Sequence, residues 1–577
     1  MAKYCICLIA LFSFFNCYAQ DSSGTKKLAI IHANIVNVIS GKIEFDQTIL
    51  IENGRISKTG SFKKTKVAEG TDTINAAGKY VMPGMTDAHI HFFQSGGLYT
   101  RPDGLNLNQV FPYEKDQQWV VDNRADLMAR YLACGITTVI DVGGPFGNYA
   151  IRAKLDSTVF APKAFVTGPL ISTYLPMNLD KKDPPIVKVN SPQEARELVQ
   201  KQVPYKPDFI KIWYIVFPGQ KPEDNLPIIQ ATIEESHAHG LKVAVHATQY
   251  QTAKLAVTAG ADILVHSVDD SVMDNEMLQL LKTKKTVYIP TVTVAENYSR
   301  VFTQQFEFSA HDLKYSNPFM LGTLMDIRHI PVEKGKMPFD FKKVTGRFPV
   351  PSKDDSIIAI NLKKAEDAGI LIAAGTDAGN IGTQHASSFF TELLAMKKAG
   401  LSNQTILRSA TINAATGFGK EKDYGSIEKG KVADLLILDK NPIEDLYALA
   451  DIFLVIHNGV SASPKKLLPV SPEILAQQQL NAYNARNIDA FLLPYHDSVE
   501  VYDFKGNLLL SGKEKFRESY EQFFKNVPEL HCQLLNRMVQ GNTVVDQESV
   551  TGFGNGMKAI AIYTIEGDKI KKVHFIQ

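Results

Sequence analysis

A chain of 577 residues with only five cysteines cannot rest on a disulfide framework, and three of the five, Cys5, Cys7 and Cys17, crowd into its first 17 positions. Cys134 and Cys532 remain, far apart and flanked by apolar residues, which is the setting of buried free thiols. A surplus of charge is missing too, since 62 Lys and Arg stand against 61 Asp and Glu. Without a run of either sign there is no electrostatic footprint for nucleic acid or an anionic membrane, so a small molecule or a peptide is the expected partner. Past the N-terminus no apolar run approaches the roughly 18 residues of a membrane span, and none is expected.

What is present begins with MAKYCICLIALFSFFNCYA, residues 1–19. Lys3 precedes an apolar stretch closing on Cys17-Tyr18-Ala19, the form of a cleaved secretory signal. Export across the inner membrane, to the periplasm, is the expectation. Lipid anchoring at Cys17 is the lesser alternative, because Phe15 and Asn16 stand where small residues are needed. The rest is too long for one core and divides by texture. Residues 20–83 and 424–463 carry short β-like runs with turn signals such as Asn53-Gly54, and read as two parts of one β-sandwich built from both flanks. Residues 464–577 open with a linker, SASPKKLLPVSP, and continue as helices followed by long alternating strands, an α+β domain.

Between the flanks, residues 84–423 alternate helix-like stretches with apolar runs: VMPGMTDAHIH, TTVIDVG, KAFVTGP, DFIKIWY, LKVAVHA, ADILVHS, TVYIPTVT and ILIAAGTDA. Strands this apolar are covered on both faces, and eight of them predict an α/β fold of the (β/α)₈ TIM-barrel type. Two connections, 92–125 and about 295–356, are long enough to shape a substrate site.

The first run ends in Asp87-x-His89-x-His91. Alternate residues of a strand share a face, so both imidazoles point one way. His246 and His266 close the fifth and sixth runs, Asp377 closes the eighth, and Lys211 lies in the fourth. Active sites of such barrels sit at the C-terminal ends of the strands. Imidazole and carboxylate gathered there are ligands for zinc, and equally for iron, manganese or cobalt.

PGMTDAHIH, IKIW, VHA, VHS and GTDA, in this order, resemble the amidohydrolase superfamily over about residues 28–462, nearest its imidazolonepropionase-like and Xaa-Pro-dipeptidase-like branch. The resemblance implies that His89, His91 and Asp377 hold one divalent metal and His246 and His266 a second, two zinc ions in the leading reading. It further implies that Lys211 is carboxylated and bridges them; the alternative is a mononuclear site of His89, His91, His246 and Asp377. Metal lowers the pKa of bound water toward about 7, which supplies hydroxide for attack on a carbonyl. Asp377 is then placed to take the proton and pass it to a leaving amine. Tyr214 is a candidate donor to the oxyanion, His385 either touches substrate or caps a helix, and Asp87 either orients a ligand or packs. The expected enzyme is an exported metal-dependent hydrolase cleaving C–N amide bonds of a dipeptide or an N-acyl amino acid. The other readings are a mononuclear cyclic amide or lactone hydrolase and a non-catalytic ligand-binding scaffold.

From about 473 the layout resembles the SnoaL-like, ketosteroid-isomerase-like fold, which implies a cone-shaped α+β barrel with an apolar pocket. Tyr483, Tyr502, Asp503, His531 and Asp546 are its polar candidates for that pocket, and pairing into a homo-oligomer through the open sheet is the other role it suggests.

Overall fold

The computed structural model describes residues 27–158, 160–179, 182–303, 305, 307–330 and 357–576. The N-terminal signal lies outside the described residues, as do Cys5, Cys7, Cys17 and much of the connection 295–356. Cys134 and Cys532 are both buried and free.

The flanks do combine, into one eight-stranded sheet rather than a sandwich of two. Leu435–Leu438, from the second flank, pairs antiparallel with Tyr80–Pro83 of the first. The sheet curls until an isolated bridge joins Arg55 to Val432, which encloses an apolar face. Alternation sorts the side chains: Leu435 and Ile437 join Ile30, Ile49 and Ile51 inside the curl, while Leu436 and Leu438 pack with Met82 against the central domain. Both faces are covered, so the run LLIL is apolar throughout.

In the central domain the apolar runs follow one another around a ring. Met85–Ile90, Ile136–Asp141 and Lys163–Val166 pair in parallel, and Asp208 N–H donates to Val166 O at 3.0 Å to join the next segment. Ile210–Trp213, Val243–His246, Ile263–Val265 and Val287–Ile289 continue it. The eighth run is not a regular strand: bridges Tyr288↔Ile372 and Ile90↔Ala378 close the ring. An added parallel pair, Leu170–Ser172 with Ile186–Lys188, extends the sheet beside Ile210–Trp213. Parity again divides the core. Ile140, Phe209, Ala244, Ile263, Val265 and Ile289 fill the interior, and Ile210, Val243 and Val245 face the helices outside. Local capping fixes the helix starts, as where Ser191 accepts from Glu194 N ahead of Pro192.

The tail is a mixed six-stranded sheet with open edges at Leu508–Ser511 and His531–Gln540, carrying helices Pro472–Asn484 and Lys513–Asn526. These two edges stay unpaired with one another, which leaves the sheet open. The stretch read as a linker holds a short helix, Pro464–Leu467, whose Leu467 is buried in the main core. Helix Pro318–Met325, from the long connection, joins tail to barrel: Pro318 O accepts from Asn481 Nδ2 at 2.6 Å, and Thr323 Oγ1 accepts from Leu98 N at 3.0 Å. Among the described residues no helix is long and apolar enough to cross a membrane.

Candidate metal centre

Closure of the ring creates the site. Where the first and eighth segments meet, Asp377 N–H donates to His89 O at 2.8 Å and His91 N–H to Ala378 O at 2.9 Å. The approach is close enough to demand glycine at 375, since a Cβ there would lie 2.9 Å from His89 N. His89 Nε2 and His91 Nε2 consequently each stand 3.2 Å from Asp377 Oδ1 and 3.4 Å from one another. All three residues are buried, and their ligand atoms lie within 4.8 Å of one another. His266 Nδ1 is 3.9 Å from Asp377 Oδ2. The His246 ring lies 4.4 Å from that of His266, centroid to centroid, and His266 lies 4.9 Å from His89. Lys211 Nζ is buried in the same interior.

These groups are not satisfying one another. Asp377 Oδ1, His89 Nδ1 and Lys211 Nζ are buried without a hydrogen-bond partner among the described residues. Leaving buried polar atoms unmade costs about 1–3 kcal/mol each. His89 turns Nε2, not Nδ1, toward Asp377, so the atoms that gather for a ligand are Asp377 Oδ1 and the Nε2 atoms of His89 and His91. A divalent cation fits that donor set of imidazoles and a carboxylate. The electrostatics agree in direction. Burial, with Lys211 nearby, pushes the His89 imidazolium down to about 3, and burial drives His246 and His266 well below the usual range. Burial also brings Lys211 down to about 7. Burial alone would raise Asp377, but the His89, His91 and His266 rings hold its carboxyl well below its ordinary value. Neutral imidazoles around one carboxylate have free lone pairs for a metal.

The backbone is strained around this point. His266 has φ 73°, Asp377 φ 63° and Thr291 φ 41°, a left-handed region costly for side chains and worst for β-branched threonine. Thr291 Oγ1 lies 2.8 Å from His266 Nδ1. Glu392 holds that turn from behind, its carboxylate accepting Val292 N at 2.7 Å, Thr293 N at 3.0 Å and Thr293 Oγ1 at 2.9 Å. His91 Nδ1 is fixed by Gly143 O at 2.7 Å, which leaves Nε2 for the site. Sequence reading missed Thr291, Glu392 and Gly143, because an ordinary threonine, a helical glutamate and a loop glycine carry no signature of what they support.

Three further candidates are placed by the structure. Tyr214 does not reach the site: Lys211 points inward, so Tyr214, three residues on, faces outward, and its hydroxyl is taken by Pro222 O. Trp213 has the inward parity and lies 5.9 Å from the His246 ring. His385 neither faces the metal ligands nor caps a helix; it is buried between Gln94 O and Tyr131 OH, 2.8 Å from each. Asp87 ties the ring shut, accepting Thr376 N at 3.0 Å, Thr376 Oγ1 at 2.7 Å and His89 N at 3.2 Å. From the connection 92–125, Arg101 reaches Asn380 Oδ1 at 2.6 Å, and Asn380 donates to Asp377 O at 3.0 Å.

The buried His–His–Asp cluster sits within residues 80–462, which match the model of the amidohydrolase family. The chain belongs to that family. Residues 476–573 of this amidohydrolase match a SnoaL-like domain. It is similar to an imidazolonepropionase of Christiangramia forsetii, 21% identical over 72% of this chain and 92% of the relative. An ochratoxinase of Aspergillus niger is 22% identical over 76% and 86%, and an enamidase of Eubacterium barkeri 27% identical over 37% and 48%, so the chain spans about half the enamidase. In fold it resembles a Xaa-Pro dipeptidase with bound methionine, with TM-score 0.58, 24% identity and coverage of 76% of this chain and 100% of that one. The amidohydrolase is thus a hydrolase by family, with a centre suited to a divalent metal.

Proposed function

We propose that this protein is an exported hydrolase that cleaves the C–N amide bond of a dipeptide or N-acyl amino acid at a centre of two metal ions, zinc in the leading reading. The observation carrying the reading is the convergence of Asp377 Oδ1, buried without a hydrogen-bond partner among the described residues, with the Nε2 atoms of His89 and His91, beside the unpartnered Lys211 Nζ and the rings of His246 and His266. His89, His91 and Asp377 would hold one ion, His246 and His266 the other, and Lys211 as a carbamate would lie between them. The carbamate forms when the free amine adds to carbon dioxide and loses one proton. When bound, such a pair of cations activates water and polarises a carbonyl. The remaining work belongs to the chain: Asp377 takes a proton from the attacking water at its carboxylate and delivers it to the departing amine. Thr291 fixes the His266 ring, and Arg101 and Asn380 fix the backbone that carries Asp377. The signal-like residues 1–19 support export. That a structural neighbour is described as a Xaa-Pro dipeptidase supports the dipeptide substrate class.

The test is metal content per chain, measured on protein purified without chelator, together with turnover on a panel of dipeptides and N-acyl amino acids. About two ions, reduced by Lys211→Ala along with turnover, is the expected result. One ion, indifferent to Lys211 and accompanied by ring opening of a cyclic amide, would replace this reading with the mononuclear one.

A further inference from the structure

The mouth of the barrel carries a row of rings that the metal centre does not use. Trp213 closes the strand Ile210–Trp213 with the same inward parity as Lys211, and its ring stands 5.9 Å from that of His246. Tyr174 lies 5.8 Å from Trp213, and Phe217 lies 4.9 Å from Tyr174, edge to face. Tyr174 follows the strand Leu170–Ser172 and Phe217 follows Ile210–Trp213, its parallel neighbour. The row is therefore built beyond the C-terminal ends of two adjacent strands, where barrels of this kind receive substrate. It runs from His246 out to solvent, since Phe217 is 39% exposed.

The loop that bears Tyr174 is firmly held. Thr173 Oγ1 donates to Ile215 O at 2.9 Å and accepts from Ile215 N at 3.2 Å, which ties it to the loop of Phe217. The Ser172 hydroxyl accepts from Tyr174 N at 2.9 Å and donates to Tyr174 O at 2.6 Å. Farther on, Asn178 Nδ2 donates to Pro102 O at 3.3 Å, beside the Arg101 that reaches Asn380. The loop thus spans from the His246 side of the mouth to the Asp377 side. On it, Leu175 and Met177 are 59% and 70% exposed. Large apolar side chains grouped in water beside a buried polar centre mark a contact surface, and ring faces and edges favour another ring. A charged partner is not called for here, because the Arg101 guanidinium is already bound by Asp103 at 2.8 and 2.7 Å.

We infer that this wall receives an aromatic side chain next to the scissile amide, so that the preferred substrates are dipeptides or N-acyl amino acids containing phenylalanine, tyrosine or tryptophan. The inference rests on the hydrolase reading above and narrows it.

Two measurements on the full-length protein keep the two apart. In the first, turnover of Ala-Phe and Phe-Ala is compared with that of Ala-Ala, and at least one aromatic dipeptide should exceed it by about 10-fold or more in kcat/KM. Phe217→Ser and Leu175→Asp alter exposed side chains and should each lower that ratio by about 3–10-fold. The second reads binding with no bond cleaved. The chain has two tryptophans, Trp119 and Trp213, so in the Trp119→Phe variant fluorescence reports Trp213 alone. The probe is 4-nitro-L-phenylalanine, an analogue of a hydrolysis product whose nitro ring quenches tryptophan, and saturable quenching is expected. L-Phenylalanine should displace it more effectively than L-leucine does, and at concentrations about 10-fold or more below those of L-alanine. Saturable quenching without turnover of any amide would uphold the wall and overturn the hydrolase reading. Turnover with no aromatic preference, quenching that does not saturate, displacement by L-leucine equal to that by L-phenylalanine, or indifference to both variants would each overturn the inference.

Discussion

The barrel mouth and the tail cavity each bury a carboxyl, and they treat it in opposite ways. At the mouth, Asp377 is surrounded by nitrogen atoms that approach to 3.2 Å without hydrogen bonding to Oδ1. In the tail, Glu548 heads a chain of bonds through Tyr563, Gln479 and Tyr495, with aromatic rings around it. Convergent ligand atoms left unsatisfied describe a place for an ion; a carboxyl already hydrogen-bonded among rings does not. Backbone conformation marks the same division. His266, Thr291 and Asp377 all have positive φ, whereas Glu548 and Tyr563 lie within regular strands. Strain concentrated at the mouth is what a preorganised site stores.

The comparison can be broken most sharply at the mouth. Asp377→Ala or His246→Ala should remove measurable hydrolysis while circular dichroism and the thermal midpoint show a folded barrel; retained turnover in either would detach these residues from the chemistry. Next in size is Thr291→Ala, which takes away the oxygen 2.8 Å from His266 Nδ1. Metal affinity, read by chelator competition, should fall by about 10–100-fold, with Glu392→Gln producing a smaller loss in the same direction.

Ring closure itself is tested by Asp87→Ala, which leaves Thr376 N–H without its acceptor. Urea unfolding should show a loss of about 1–3 kcal/mol. The joint between the two regions is tested by Gly322→Leu. Even a Cβ there would meet Asn481 Oδ1 and Gln477 Nε2 at 2.9 Å, so a larger side chain should loosen the tail and cost about 1–3 kcal/mol. Earlier proteolytic release of the tail would show it.

The most gradual effect concerns pH. Folding raises Glu548 to about 7, against about 4.3 for an exposed glutamate. The native state therefore holds a proton that the unfolded chain has released, and stability declines as pH rises between these values, by less than about 1.4 kcal/mol per pH unit. Glu548→Gln has no such proton, so the stability of wild type relative to this variant should decrease over that interval. A pH-independent difference would show that the carboxyl is not buried as described.

Much of this was legible in the sequence because parity and strand ends are simple rules. The apolar runs marked the ring, and five of the six proposed ligands stand at the ends of those runs, with Lys211 inside one. Parity also contained the correction for Tyr214, which directly follows the strand Ile210–Trp213 and packs on the outer side with Ile210 and Ile212, opposite Lys211. In the tail the rule was available and underused. Asp546 and Glu548 share a face, yet Asp546 is consumed by Arg537 while Glu548 lines the cavity. Of the other tail candidates, Tyr483 lines the cavity, Tyr502 bonds Glu500 on an outer face, Asp503 closes a turn with Asn507, and His531 stacks on His329. What no local rule reveals is the pairing of segments distant in sequence. Thr291 with His266, Glu392 with Thr293 and Arg101 with Asn380 are contacts made only once the ring closes.

Helix Pro318–Met325 has one further implication, for engineering. Its start binds Asn481 of the tail, and its Thr323 binds Leu98 in the connection that carries Arg101. A chimera that swaps the tail at residue 464 would therefore cut through a three-part joint and leave the incoming domain facing a helix shaped for another surface. The portable module is the tail together with this helix, and any graft onto a different barrel has to recreate both of its attachments.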